Sequence, residues 1–172
     1  GKEFLFKVYM LTLMIPGQVT MIPVFIIMKK LGLLNTYFAL VVIILNAFGV
    51  FLIRQFMESV PDELLEAAKV DGCPEYKIFI NIVIPLIKPV LVSLVVFTFV
   101  TSWNDFMWPL VSTTDSSMYT LTVALSLLKT QYQTNYGLIL AGATVSFIFP
   151  FILYAFLQKQ FVEGIALSGV KG

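Results

Sequence analysis

An all-α integral membrane bundle is the fold class this sequence predicts, and three observations carry the prediction. Of its 172 residues, 59% are hydrophobic and 12% are charged, against about 45–50% and roughly 25% in an ordinary soluble domain. The charges are also clustered, with none from Val8 to Met28, from Leu31 to Ile53, or from Thr130 to Gln158. Each of those stretches reaches the ~20 residues a helix needs to cross the hydrocarbon layer. A fourth, from Pro89 to Asn104, is shorter and crosses only if Asp105 lies near its outer end. Finally, runs such as Leu40-Val41-Val42-Ile43-Ile44-Leu45 do not alternate as barrel strands do. Lipid admits only helices and closed barrels, because every backbone polar group there needs an internal partner. Helices remain.

In chain order, spans are expected near 8–28, 36–56, 90–110 and 137–157. The first holds Pro16, Gly17 and Pro23, so a kinked or broken helix is expected there. A short connection, Lys29 to Asn35, leads to the second span. The next connection, about 57–89, is the longest polar segment, and the third, about 111–136, is rich in Ser, Thr, Tyr and Gln. Sidedness follows from Lys and Arg. One arrangement puts Lys2, Lys7, Arg54, Lys69, Lys77, Lys88, Lys159 and Lys171 on one side, eight against the three at Lys29, Lys30 and Lys129. The N-terminus, the middle loop and the C-terminus are therefore expected on the cytoplasmic side. The chain opens on Gly1 without an initiator Met or a signal-peptide pattern, so the expectation is an internal start and a fragment.

Several function classes drop out. A net charge of +1 does not supply the basic patch that nucleic acid calls for. There is no histidine and one cysteine, Cys73, which leaves no intrachain disulfide and no Cys/His metal cluster. No glycine loop of the form G-x-x-x-x-G-K-[ST] occurs, so nucleotide would have to bind on another subunit. No catalytic constellation and no cofactor is expected.

The middle loop carries the functional signal. Between Pro61 and Gly72, Leu64, Leu65, Ala67 and Ala68 fall within about 160° of a helical circumference, opposite Asp62, Glu66 and Lys69. Pro61 and Asp62 suit a helix start. Gly72 suits the left-handed position after its end, and Pro74 blocks continuation. A second short helix is expected from Glu75 to Ile84, stopping before Pro85. The apolar side of the first helix must rest on something. The pattern alone fits the membrane surface, the chain's own bundle, or a groove in a partner protein.

Glu66-Ala67-Ala68, three residues, Gly72, nine residues and Ile82-Val83-Ile84-Pro85 resemble the EAA loop of bacterial ABC importer permeases. Ile84 stands where leucine is usual. Ile15-Pro16-Gly17-Gln18, Leu31-Gly32-Leu33-Leu34-Asn35-Thr36, Ser102-Trp103-Asn104-Asp105, and the ending from Phe161-Val162-Glu163-Gly164 to Gly169-Val170-Lys171-Gly172 are similar to maltose-type (MalG-like) sugar permeases of binding-protein-dependent transport systems. The resemblance implies a MetI-like helical bundle of six spans, of which four would be present and the first two missing. It implies that residues 1–172 form the C-terminal part of one permease transmembrane domain, with its coupling loop at about 58–88. The helix at about 62–71 would be the coupling helix, seated in a cytoplasmic ATPase subunit, with Glu66, Ala67, Ala68, Asp71 and Gly72 as its ATPase-coupling residues. The competing reading of Gly72 is a plain helix terminator with no further role. The implied partners are ATPase subunits, a second homologous permease subunit, an extracytoplasmic solute-binding protein and membrane lipid, in a bacterial-type inner membrane. The implied solute is a sugar, oligosaccharide or related polyol. The tail at Gly169–Gly172 either touches the ATPase pair or is a frayed end.

Asp105 is the only acid in an expected span, which marks it as functional by default. With Trp103 and Asn104 it could line the solute path, the ring stacking on a sugar and the polar groups bonding hydroxyls. The competing reading is that Trp103 and Trp108 are interfacial aromatics. Two rival functions set the alternatives. An ion-coupled secondary transporter would show intramembrane acids in several spans, and a non-transport scaffold would retain no ATPase.

Overall fold

The computed structural model describes residues 1–128 and 136–169, with side chains placed through residue 159. All regular structure among the described residues is helical. Ten α-helices run in order: α1 (Lys2–Leu11), α2 (Gly17–Lys30), α3 (Tyr37–Val42), α4 (Ala47–Met57), α5 (Asp62–Val70), α6 (Glu75–Ile78), α7 (Ile84–Trp103), α8 (Met107–Ser112), α9 (Leu121–Leu128) and α10 (Tyr136–Gly169). The chain divides into two compact units. One comprises Gly1–Ala47 and Thr98–Ala155, and the other Phe48–Phe97 and the chain from Phe156 onward.

Two helices are long and apolar enough to cross a membrane: Glu75–Trp103, which joins α6 and α7, and Tyr136–Lys159 within α10. The expected first span is broken. After a 3₁₀ turn at Thr12–Met14, Ile15 is extended (φ −90°, ψ 118°), as the residue before a proline prefers. Pro16 then precedes α2, and the two halves meet at 104°. The bend therefore falls at Pro16, while α2 continues through Pro23. The expected second span is also divided, into α3 and the apolar α4. The gap at residues 43–46 opens within a run of four β-branched residues, Val41 to Ile44, whose side chains crowd the preceding helical turn.

The third span is displaced toward the N-terminus. Residues 75–103 form one helix, so the expected stop before Pro85 does not occur. A π-helical turn at Phe79–Val83 lies immediately before that proline. Proline lacks an N–H and crowds the carbonyl four residues back, and a widened turn relieves both. At its other end the helix terminates at Trp103, and residues 104–106 separate it from α8. Asp105 thus stands in a helix break and not inside a span.

The Leu31–Thr36 stretch is a chain of local devices in the first unit. Gly32 is left-handed (φ +67°), Gly32 N–H donates to Lys29 O (3.1 Å), and Leu33 N–H donates to Met28 O (2.9 Å). That pair of bonds is a Schellman cap. Lys29 and Lys30, two of the three basic residues on the minority side, occupy the last turn of α2, where the helix dipole favours cations. Asn35, also left-handed (φ 58°), donates its N–H to Ser112 O (3.0 Å). Its Oδ1 accepts from the N–H groups of Thr114 (2.6 Å) and Asp115 (3.1 Å). Thr36 Oγ1 caps α3 by accepting from Ala39 N–H (3.2 Å). Beside it, buried Trp108 donates its indole N–H to Ala39 O (2.8 Å). Trp108 is a core residue of this unit and not an interfacial one. Asp115 caps the 3₁₀ turn Ser116–Met118, and hydrogen bonds from Ser117 N–H and Oγ hold its carboxyl below its ordinary range.

Gly142 of α10 lies against Leu125 of α9. A Cβ there would sit 2.1 Å from Leu125 Cδ2 and 3.3 Å from its Cγ. An alanine would require Leu125 to change rotamer, and a larger side chain would push the two helices apart.

Candidate functional site

The segment between α4 and α7 is built from local punctuation. Arg54 in the last full turn of α4 pairs with Glu58 (Nε to Oε1, 2.8 Å), an exposed i,i+4 bridge of modest worth. Ser59 N–H donates to Phe56 O (3.1 Å) and Val60 N–H to Met57 O (3.2 Å), turning the chain toward Pro61. Pro61 precedes α5, whose first turn holds Asp62 and Glu63 and whose last turn holds Lys69. Both charge types therefore complement the helix dipole.

The C-terminus of α5 closes as the sequence pattern anticipates. Gly72 has φ +74°. Its N–H donates to Lys69 O (3.0 Å) and Cys73 N–H donates to Ala68 O (3.0 Å), which completes a second Schellman cap. A Cβ on Gly72 would meet no heavy atom within 4 Å. The position therefore selects glycine through backbone conformation and not through crowding. Pro74 starts α6 one residue later.

Burial divides the apolar arc of α5 in two. Ala68 is 7% exposed, and Leu65 is half-buried against Val83, Ile87 and Val90 of the second unit's core. Leu64 is 46% exposed and Val70 87% exposed, and Ala67, Glu66, Asp71, Gly72 and Cys73 are exposed with them. The helix rests on its own chain through one edge and leaves the other uncovered by that chain. Of the five anticipated coupling residues, Glu66, Ala67, Asp71 and Gly72 stand at the surface, and Ala68 belongs to the seat. Sequence reasoning passed over Val70, which lies outside the 160° arc, and placed Leu65 on the apolar side without showing that it packs on Val83, Ile87 and Val90.

The second candidate group is dispersed in role. Trp103 donates its indole N–H to Ser146 O of α10 (3.0 Å). Its ring lies 5.4 Å from that of Phe99 and 5.5 Å from that of Phe149, centroid to centroid. The aromatic surface imagined for a sugar is thus largely used in tying α7 to α10. Asn104 is exposed, with its amide donating to Val100 O (2.8 Å). Asp105 is half-buried, and its backbone carbonyl accepts from Thr122 Oγ1 (2.9 Å). Among the described residues no group of three or more His, Cys, Asp or Glu side chains could hold a metal ion.

Comparison with known proteins identifies the family. The family described as binding-protein-dependent transport system inner membrane component matches residues 1–166. The chain is 40% identical to the arabinooligosaccharides transport system permease protein AraQ of Halalkalibacterium halodurans, over 100% of this chain and 62% of that protein. It is 36% identical to the lactose transport system permease protein LacG of Rhizobium radiobacter, over 99% of this chain and 62% of that protein. It is 35% identical to the sn-glycerol-3-phosphate transport system permease protein UgpE of Yersinia pestis, over 97% of this chain and 60% of that protein. The chain thus spans about three fifths of the length of the curated relatives it matches.

Proposed function

Because the chain belongs to the family of binding-protein-dependent transport system inner membrane components, we propose that it serves as permease in an ATP-driven importer and that α5 is the helix through which the energy enters. The observation that carries this reading is the two-edged seat of α5. The helix is capped at Gly72, anchored through Leu65 and Ala68, and leaves Leu64, Ala67 and Val70 uncovered by the chain. An exposed apolar edge on a short helix outside the long apolar helices is suited to a groove in another protein. The occupant we assign is a cytoplasmic ATPase subunit, since the chain has no phosphate-binding glycine loop of its own. Hydrolysis then belongs to that subunit and not to this one.

The remaining assignments extend the same reading. The solute is a sugar, oligosaccharide or related polyol, in keeping with the transport names of the similar permeases. A solute-binding protein delivers it, and a second homologous permease subunit completes the path through the lipid. The coupling loop and C-terminus lie on the cytoplasmic side, following the excess of Lys and Arg there. Two of the residues in that count, Lys129 and Lys171, lie outside the described residues, as does the end of the Gly169–Gly172 tail assigned to the ATPase pair. In the solute path, Asn104 and Asp105 supply hydrogen-bonding groups at the break after α7, and Trp103 holds that break against α10.

Cys73 supplies the test. It is exposed beside the Gly72 cap, so its thiol reports which side of the membrane the loop occupies. In the full-length protein, a membrane-impermeant maleimide is expected to label Cys73 in opened, ATPase-stripped membranes and not in intact cells. Labelling in intact cells would invert the orientation and remove α5 from any cytoplasmic partner.

A further inference from the structure

The packing under α5 has a consequence of its own. Val83, Ile87 and Val90 form a buried cluster, and Leu52, Ile53, Phe56, Val60, Leu65 and Leu91 pack against it. These residues come from α4, the turn before α5, α5 itself, the π-helical turn and α7, all within one unit. Leu65 is the one member that α5 contributes. The backbone routes out of the C-terminal end of α5 are compliant by comparison. One is the left-handed joint at Gly72, which has open space around its Cα. The next is the π-helical turn at Phe79–Val83, an irregularity that helices carry where they bend or switch.

A close-packed interior resists deformation and passes strain on, whereas a glycine joint absorbs it. We propose that Leu65 is the positioning residue through which a displacement of α5 reaches α4 and α7, so that its side chain, and not the loop backbone, transmits the ATPase stroke. This rests on the docking reading above and adds to it. The exposed edge binds the partner, and the buried edge conveys the movement. Removing the Leu65 side chain should leave docking in place while the motion is lost in the two soft joints.

The experiment uses the full-length permease in complex with its ATPase and second permease subunit, with Cys73→Ser and a reporter Ser102→Cys. Ser102 is exposed near the far end of α7. Maleimide labelling of the reporter is compared with ADP bound and after trapping with ATP and vanadate. In the parent complex the rate is expected to differ by about fivefold or more between the two states, the low end of ordinary coupling between sites. Leu65→Ala should keep ATPase retention and hydrolysis while that difference falls below about twofold, and Leu65→Met should restore it, because volume-conserving swaps preserve packing. Val60→Ala, in the same cluster, decides the matter if Leu65→Ala does not assemble. An undiminished difference in the assembled variant overturns the proposal. So does a diminished difference accompanied by loss of the ATPase, since the seat would then only present the docking edge. Failure of the docking reading looks different: Ala67→Glu, on the exposed edge of α5, would leave ATPase retention in the parent complex unchanged.

Discussion

Gly72→Val in the full-length protein is expected to abolish transport while leaving membrane insertion intact. The Schellman cap places residue 72 at φ +74°, where a β-branched side chain is poorly accommodated. Left-handed backbone costs an ordinary residue about 1–2 kcal/mol. Because a Cβ at this position would meet no heavy atom within 4 Å, the penalty is conformational. That makes a sharp control available: asparagine tolerates left-handed backbone, so Gly72→Asn should retain most activity. Uptake assays together with ATPase co-purification measure the outcome. The Val variant should lose at least about tenfold in uptake, equivalent to roughly 1.4 kcal/mol, and the Asn variant should not. Equal loss in both would mean that the site needs glycine for space against a partner and not for its backbone angle.

Much of this site was legible in the sequence because its signals are local. Pro61, Asp62, Gly72 and Pro74 bracket a helix that the structure places at Asp62–Val70, and the caps involve only nearby backbone. The break near Pro16 was legible for the same reason. What escaped depends on neighbours far along the chain. The apolar arc of α5 is wide enough to contain both a seat and an open edge. Only packing on Val83, Ile87 and Val90 determines that Leu65 takes the inner side, and Ala68 is buried on the same edge. Pro85 reads as a stop signal, yet the π-helical turn before it carries the helix on to Trp103. Asp105 appeared to lie within a span because a neutral run surrounds it, but hydropathy does not register where a helix ends. Trp103 has the composition of a sugar platform, and its commitment to Ser146, Phe99 and Phe149 became visible only in three dimensions.

The divided arc also sets the second large effect. Ala67→Glu places a carboxylate on the exposed edge of α5, where water solvates it in the free permease. Stability should change by no more than about 0.5 kcal/mol, as for other surface substitutions. Inside a partner's groove the same charge would be desolvated without a counterion. ATPase retention should therefore fall at least about tenfold, a loss of roughly 1.4 kcal/mol of binding. Ala68→Glu behaves differently, because Ala68 is 7% exposed. It forces a charge into the chain's own seat and should lower the thermal stability of the permease before any partner is considered. Thermal melts of the detergent-purified permease, alongside co-purification of the ATPase, separate the two. Identical melts and identical retention for both variants would contradict the division of α5 into an inner and an outer edge.

If the outer edge of α5 lies against an ATPase, a contact trap at Val70 should capture that subunit. Val70 is 87% exposed, so replacing it with the photo-reactive residue p-benzoylphenylalanine should leave the fold undisturbed. On irradiation of intact membranes, the account predicts a single crosslinked product containing the ATPase subunit, lost when Ala67→Glu is added. Crosslinks to lipid alone, or to another part of this chain, with no ATPase trapped, would contradict it.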